Sequence, residues 1–192
     1  FVTTVLVGFF PIFFDRYWAQ GVAGTTSTFY LGLTNSIASF AVMLMAPWLG
    51  ALADRRGWKK RLLGIFTAIG VIATAMLFFV GEGQWPWAAA VFAVASIGFF
   101  GGSSFSDALL VQVATPAESD RVSAFGYALG YLGGGLLFVV NVLMVLHPAW
   151  FGLADATIAT RLSFLTVAVW WALFALPQFR YVQEPAAIAE TT

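Results

Sequence analysis

Long apolar segments alternate with short polar connections along the whole chain. The apolar segments cover residues 1–18, 30–53, 62–80, 86–113, 122–146 and 162–179. Each has about 18 residues or more, enough for an α-helix to cross a bilayer, and the runs lack the period-2 alternation of a transmembrane barrel. The pattern therefore predicts an all-α integral membrane protein, with a bundle of six transmembrane helices over residues 1–181.

The composition excludes several classes of function. Only 9% of the residues are charged, against about a quarter in soluble domains, and the net charge of zero offers no basic field for nucleic acid. The 192 residues contain no cysteine, and the sequence shows no phosphate-binding loop, metal-ligand cluster or serine elbow. We therefore expect no enzyme, no cofactor, no metal site and no nucleic-acid partner.

Basic residues are concentrated in alternate connections. Seven lie on one side of the predicted membrane, namely Arg55, Arg56, Lys59, Lys60, Arg61, Arg121 and Arg180. Only Arg16 and Arg161 lie on the other side, so the positive-inside rule places both termini in the cytoplasm, in a plasma or bacterial inner membrane. Residues 182–192 change composition abruptly and are typical of a cytoplasmic tail or linker.

The connection between the second and third spans carries the most specific motif, GALADRRGWKKR, at residues 50–61. It resembles the signature of the major facilitator superfamily, which has Gly, three residues, Asp, Arg, any residue, Gly and two basic residues. The residues that match or extend this signature are Gly50, Asp54, Arg55, Gly57, Lys59 and Lys60. Trp58 stands where the first basic residue is usual. The resemblance implies that this gating segment (residues 50–61) stabilises the outward-open state by contacting an opposite six-helix half; the alternative is a basic loop that only sets topology.

Three further stretches narrow the resemblance. Residues 35–39, 107–110 and 120–135 are similar to the "unknown major facilitator" family, which includes autophagy-linked vacuolar amino-acid exporters. The resemblance runs along nearly the whole chain but covers only the amino-terminal half of such a protein, which has about twelve spans. Because Phe1 already lies within an apolar segment, we also expect the chain to be truncated at its start.

Glycines recur at a spacing of four in the fourth and fifth spans. They are Gly98 and Gly102 in the fourth span and Gly126, Gly130 and Gly134 in the fifth. Small residues at this spacing let membrane helices approach closely, which predicts helix packing, with a moving hinge as the alternative in the fifth span. The fifth-span stretch also resembles the superfamily's antiporter motif, but Tyr131 stands where that motif has proline.

Polar side chains inside the spans are candidates for a transport pathway or a proton site. They are Asp107, Asn35, Tyr127, Tyr131 and Asn141. A carboxylate is costly in lipid, so Asp107 should line the cytoplasmic half of a pathway, where it binds protons or pairs with Arg121; the alternative is an acid that anchors the helix end. The asparagines are expected either to join helices or to contact solute, and the tyrosines to pack in the core or to line a cavity.

Two groups near the span ends carry simpler predictions. Trp18, Trp85, Trp87 and Trp150 flank spans on the predicted outer side and are typical of an interfacial belt. Arg161 begins the sixth span and is placed to pair with Asp155.

These features predict a secondary transporter of the major facilitator type. It would move a small solute by alternating access with a second six-helix half, supplied by the same chain, a second copy or another subunit. Amino acids are suggested as the solute by the resemblance alone. The alternative is a non-transporting membrane subunit that stabilises a larger membrane complex, whose partner would cover the polar face of the bundle. A channel-like oligomer is disfavoured because the sequence shows no ring of charges or filter segment.

Overall fold

The computed structural model describes residues 10–19, 24–115 and 117–184, and within these ranges its regular secondary structure is helical. The helices are α1 (Phe10–Phe13, continued by a π-helical turn at Phe14–Trp18), α2 (Gly24–Arg56), α3 (Lys59–Met76, continued by a 3₁₀ turn at Leu77–Phe79), α4 (Trp85–Val113), α5 (Ser119–Leu146, followed by a 3₁₀ turn at Pro148–Phe151) and α6 (Ala156–Tyr181). The helices α2 to α6 are long and apolar enough to cross a bilayer. The predicted all-α membrane fold is therefore confirmed, while residues 1–9 of the first predicted span lie outside the described ranges.

Several helices extend beyond their apolar segments. α2 begins at Gly24 rather than at residue 30, and α6 begins at Ala156 rather than at residue 162. α6 starts early because Asp155 Oδ1 accepts a 2.8 Å hydrogen bond from Ile158 N, which caps the helix. At its other end α6 continues through Pro177, as membrane helices do when neighbouring groups satisfy the freed carbonyl.

The helices α3 and α4 approach each other backbone to backbone. A Cβ placed on Gly98 of α4 would lie 2.5 Å from Gly70 Cα and 2.8 Å from Phe66 O, closer than real Cβ atoms come. Gly70 also lies under the indole of Trp171 from α6, whose Cζ3 would be 2.6 Å from a Cβ at Gly70. Three helices therefore meet at Gly70, where only a glycine fits.

The other spaced glycines have different surroundings. A Cβ at Gly102 would make an ordinary 3.6 Å contact with Thr67 Oγ1, and Gly134 is buried. Gly126 and Gly130 face open space, because no atom of another described helix lies within 4 Å of a Cβ at either position. Packing of these two glycines against another helix stays a prediction, and its partner is not among the described helices.

Trp18 is a core residue, so its predicted place in the interfacial belt is wrong. Its side chain is fully buried, and its ring centroid lies 5.2 Å from that of Phe10 and 5.6 Å from that of Phe164. The indole N–H donates a 3.2 Å hydrogen bond to Val80 O. Burial is tolerated because the polar end of the ring finds an acceptor inside the bundle.

Arg161 joins α6 to the end of α3 instead of pairing with Asp155. Its Nε donates a 2.7 Å hydrogen bond to Phe78 O, and its guanidinium carbon lies 5.2 Å from the Phe78 ring centroid. Asp155 is engaged in capping α6. The arginine therefore satisfies a backbone carbonyl at the end of a helix, where cations are favourable.

The close approach at Gly98 predicts a large difference between two glycines of the same helix. Gly98→Ala should destabilise the bundle by about 1–3 kcal/mol or more, because the added methyl group meets backbone that cannot move aside. Gly102→Ala, one turn further along, is the matched control and should cost little, because its methyl group has room. Thermal unfolding of both variants in the same detergent checks this. Equal unfolding temperatures for the two variants would contradict the packing described for Gly98.

Candidate functional site

The gating segment forms the sharp turn between α2 and α3. Gly57 adopts a positive φ of 63°, a conformation that glycine takes without strain, so the chain can reverse direction there. Asp54 Oδ1 lies 2.8 Å from Lys59 Nζ and closes the turn with an ion pair. The Asp54 side chain is 53% exposed, so this pair contributes little to stability and leaves the carboxylate accessible.

Trp58, which departs from the superfamily signature, organises two cations of the segment. The guanidinium carbon of Arg56 lies 4.9 Å from the indole centroid, and that of Arg61 lies 4.6 Å from it. Such cation–π contacts are worth about 0.5–1 kcal/mol each at exposed sites. Trp58 is uncharged, but its indole keeps the guanidinium groups of Arg56 and Arg61 beside the turn.

Lys60 is tied to the chain that follows α6. Its backbone N donates to Glu184 Oε1 at 3.0 Å, and its Nζ donates to Val182 O at 2.9 Å. The sequence does not single out Glu184, because residues 182–192 are predicted to be a cytoplasmic tail or linker. The sequence does contain one indication: Glu184 is an acidic residue shortly after the sixth span, on the same predicted side of the membrane as the basic residues of the gating segment.

A cavity of about 370 Å³ opens between α2 and α4 beside the gating segment. Its polar edge is formed by Asp54 and Lys59, and its wall by apolar side chains together with Ser104. Gly50 contributes to the lining, and a Cβ there would meet no atom within 4 Å. The close helix approach that Gly50 permits is therefore not used within the described structure.

No hydrogen bond or ion pair joins the candidate pathway residues to one another in the described ranges. Asn35 on α2, Asp107 on α4, and Tyr127 and Tyr131 on α5 are all exposed, with Tyr131 at 76%. Core packing, the alternative for the two tyrosines, is therefore not observed in the described ranges. Asp107 forms no ion pair with Arg121 in the described structure, and both side chains are exposed.

Asn141 differs from the other candidates because it is completely buried. Its Oδ1 accepts a 3.0 Å hydrogen bond from Thr166 Oγ1, which links α5 to α6. Its Nδ2 has no partner among the described residues. The position favours the helix-joining role for Asn141 over a contact with solute.

In the described ranges, no group of three or more His, Cys, Asp or Glu side chains is placed so that it could hold a metal ion.

Comparison with known proteins gives consistent matches. A family model described as "Vacuole effluxer Atg22 like" matches residues 17–190. The MFS-type transporter YxiO of Bacillus subtilis is 36% identical over 185 residues, which cover 95% of this chain and 42% of YxiO. The multidrug resistance protein MdtG of Yersinia enterocolitica is 29% identical over 187 residues, which cover 96% of this chain and 41% of MdtG.

A shorter match involves the autophagy-related protein 22 of Yarrowia lipolytica, with 31% identity over 83 residues, 43% of this chain and 13% of that protein. No solved structure matches the chain significantly. The chain spans about two fifths of the length of YxiO and MdtG.

The unpaired amide of Asn141 leads to a test of its role. Asn141→Leu should keep or raise the unfolding temperature, because it removes a buried unsatisfied donor whose burial costs about 1–3 kcal/mol, more than the roughly 0.5–1.5 kcal/mol of the hydrogen bond to Thr166 that is lost with it. The Thr166 hydroxyl has one hydrogen to donate, and in this variant it donates to Ser163 O, at 2.8 Å, instead of to Asn141 Oδ1. Asn35→Leu, at an exposed position of α2, is the control for a general effect of added apolar surface. A fall in stability confined to Asn141→Leu would show that the hydrogen bonding of the Asn141 amide contributes more than the burial of its free donor costs.

Proposed function

The chain belongs to the Atg22-like family of major facilitator transporters, and from this we propose that it forms one six-helix half of a secondary transporter. The half would move a small solute by alternating access against a second six-helix half. The lengths of YxiO and MdtG leave room for such a half in the same chain, which favours this source over a second copy or another subunit.

The proposal rests on one observation: the helices differ in the polarity of the side chains that they expose. Across the apolar parts of α3 and α6, the exposed residues are apolar, such as Ile72 and Leu173, while Thr67, Thr74 and Ser163 are buried. These surfaces suit lipid. The helices α2, α4 and α5 instead expose polar groups within their apolar stretches.

Those polar groups need a partner other than lipid. Asn35, Asp107 and Tyr131 stand on three different helices, and each is costly in contact with acyl chains. A water-filled cavity or a second protein half would satisfy them. In the proposed transporter they line the pathway, and Asp107 lies in the cytoplasmic half, where it binds protons.

The gating segment fits a contact with the second half. Asp54 is accessible and, among the described residues, is held by one exposed ion pair, so it can exchange Lys59 for a group on the opposite half at small cost. The open face of Gly50 and the adjacent cavity offer room for a helix to approach. We assign the gating segment, Gly126 and Gly130 to this interface.

The solute class and the membrane are the finer parts of the proposal. Neutral hydrogen-bonding side chains with one carboxylate suit a small zwitterion, so we propose amino acids, whereas the name of MdtG points to drugs for that relative. We propose that both termini lie in the cytoplasm and that the membrane is a plasma or bacterial inner membrane; the seven-to-two distribution of basic residues supports the orientation.

Reconstitution tests the proposed transport. The full-length protein in liposomes should accumulate labelled amino acids, and Asp107→Asn should lower uptake by about tenfold, equivalent to about 1.4 kcal/mol in the barrier, and remove its pH dependence. Asp120→Asn, at the start of α5, is the matched control and should leave uptake unchanged. A protein that moves no solute, but co-purifies stoichiometrically with a large membrane assembly, would favour the non-transporting subunit. Intact, equally pH-sensitive uptake in Asp107→Asn would exclude the proton role.

Cysteine labelling tests the proposed pathway surface, and the absence of native cysteine from these 192 residues makes single substitutions interpretable. With other cysteines of the full-length chain removed, Asn35→Cys and Tyr131→Cys should react with a water-soluble maleimide, because their surface faces a wet cavity in at least one state. Ile72→Cys and Leu173→Cys are comparably exposed controls on α3 and α6 and should resist labelling, because lipid covers them. Equal protection of all four positions would contradict the proposed pathway.

A further inference from the structure

Two hydrogen bonds fasten the chain after α6 to the first turn of α3. Glu184 Oε1 and Val182 O both accept from Lys60, at 3.0 Å from its backbone N and 2.9 Å from its Nζ. The partners are 124 and 122 positions apart, so the connection is tertiary. It joins the gating segment to the start of the predicted linker.

The contact supplies α3 with the N-cap that its own sequence lacks. Trp58 occupies the N-cap position and makes no side-chain cap hydrogen bond. The first N–H groups of a helix have no partners within the helix, and a carboxylate is well suited to them because it also complements the positive end of the helix dipole. Glu184 provides this carboxylate from the far end of the chain.

The same contact serves the end of α6. Val182 is the C-cap residue of α6, and its carbonyl accepts from the Lys60 ammonium group, a favourable partner for the negative end of a helix. The two helix ends are close in space, since a Cβ at Gly64 of α3 would lie 3.5 Å from the Phe179 ring of α6. The start of α3 thus contacts a carboxylate from the chain after α6, and the end of α6 contacts the ammonium group of Lys60.

We propose that Glu184 is a positioning residue for the gating segment. By holding the first turn of α3, it fixes Lys59, and through Lys59 the carboxylate of Asp54, in one arrangement. The consequence for transport rests on the proposed function: a movement of the second half that displaces Glu184 acts on the gating segment through Lys60.

Hydrogen exchange tests the contact without any need for transport. In the full-length protein in lipid nanodiscs, Glu184→Ala should accelerate exchange at the Lys60 amide by about 2- to 30-fold, the factor that corresponds to the usual cost of losing a cap. Glu184→Gln keeps an acceptor oxygen and should retain most of the protection. Gln183→Ala alters the exposed neighbour and is the matched control. Unchanged exchange in Glu184→Ala would overturn the proposal.

The position of the gating segment is measured separately, also without transport. Ala53 precedes Asp54 and is only 1% exposed. In an Ala53→Cys background, Glu184→Ala should raise maleimide labelling by about 2- to 30-fold, because the loss of the cap loosens the start of α3, where Leu62 and Leu63 belong to the same buried cluster as Ala53. Glu184→Gln and Gln183→Ala should label slowly. Slow labelling in Glu184→Ala, despite faster exchange at Lys60, would reduce Glu184 to a local cap and overturn its positioning role.

Uptake measurements connect this role to transport. Glu184→Ala should lower the maximal uptake rate several-fold, a larger effect than its small decrease in unfolding temperature would explain. Glu184→Gln should retain most of the wild-type rate. Unaltered uptake in an active transporter would overturn the role in gating. If the wild-type protein moves no solute, the proposed function fails instead, and the exchange and labelling results still decide whether Glu184 positions the segment.

Discussion

The contact of α3 with α4 and α6 at Gly70 is the constraint on which the described bundle depends. In a bilayer, burying an apolar side chain gains little, because lipid is as apolar as the protein interior. Helices are held instead by close van der Waals contact, which here requires glycine at both Gly70 and Gly98. Because Trp171 covers Gly70 from the third helix, the same point fixes how α6 lies against the pair.

This packing gives the bundle two kinds of exposed surface, one that is apolar throughout and one that carries polar groups. The helices α3 and α6 turn their hydroxyl groups inward and present aliphatic and aromatic side chains outward, a surface that lipid can solvate. α2 and α5 are covered far less by the rest of the described chain and carry Asn35 and Tyr131 on open faces. The division is the physical reason why the proposed second half is assigned to α2 and α5 rather than to α3 and α6.

The gating segment is a small electrostatic network at one end of this bundle. Its cations are distributed among different partners: Lys59 pairs with Asp54, Lys60 binds the chain after α6, and two arginines lie by Trp58. The departure of Trp58 from the superfamily signature is thereby compensated by cations on either side of it in sequence. Asp54 pairs with Lys59 and Glu184 accepts from Lys60, so the turn between α2 and α3 and the chain after α6 meet at the first turn of α3.

The sequence by itself determined the membrane class, the helical fold and the family, because apolar runs of membrane length and the spacing of the motif at residues 50–61 are local properties. It could not determine which face of each helix is buried. Hydrophobic periodicity separates core from water in soluble helices, but core and lipid are equally apolar, so Gly98 and Gly126 are indistinguishable in the sequence. Only the tertiary structure placed Gly98 against a backbone and Gly126 in the open, buried Trp18 beside the Val80 carbonyl, and brought Glu184 to Lys60, because each of these outcomes depends on a neighbour distant in sequence.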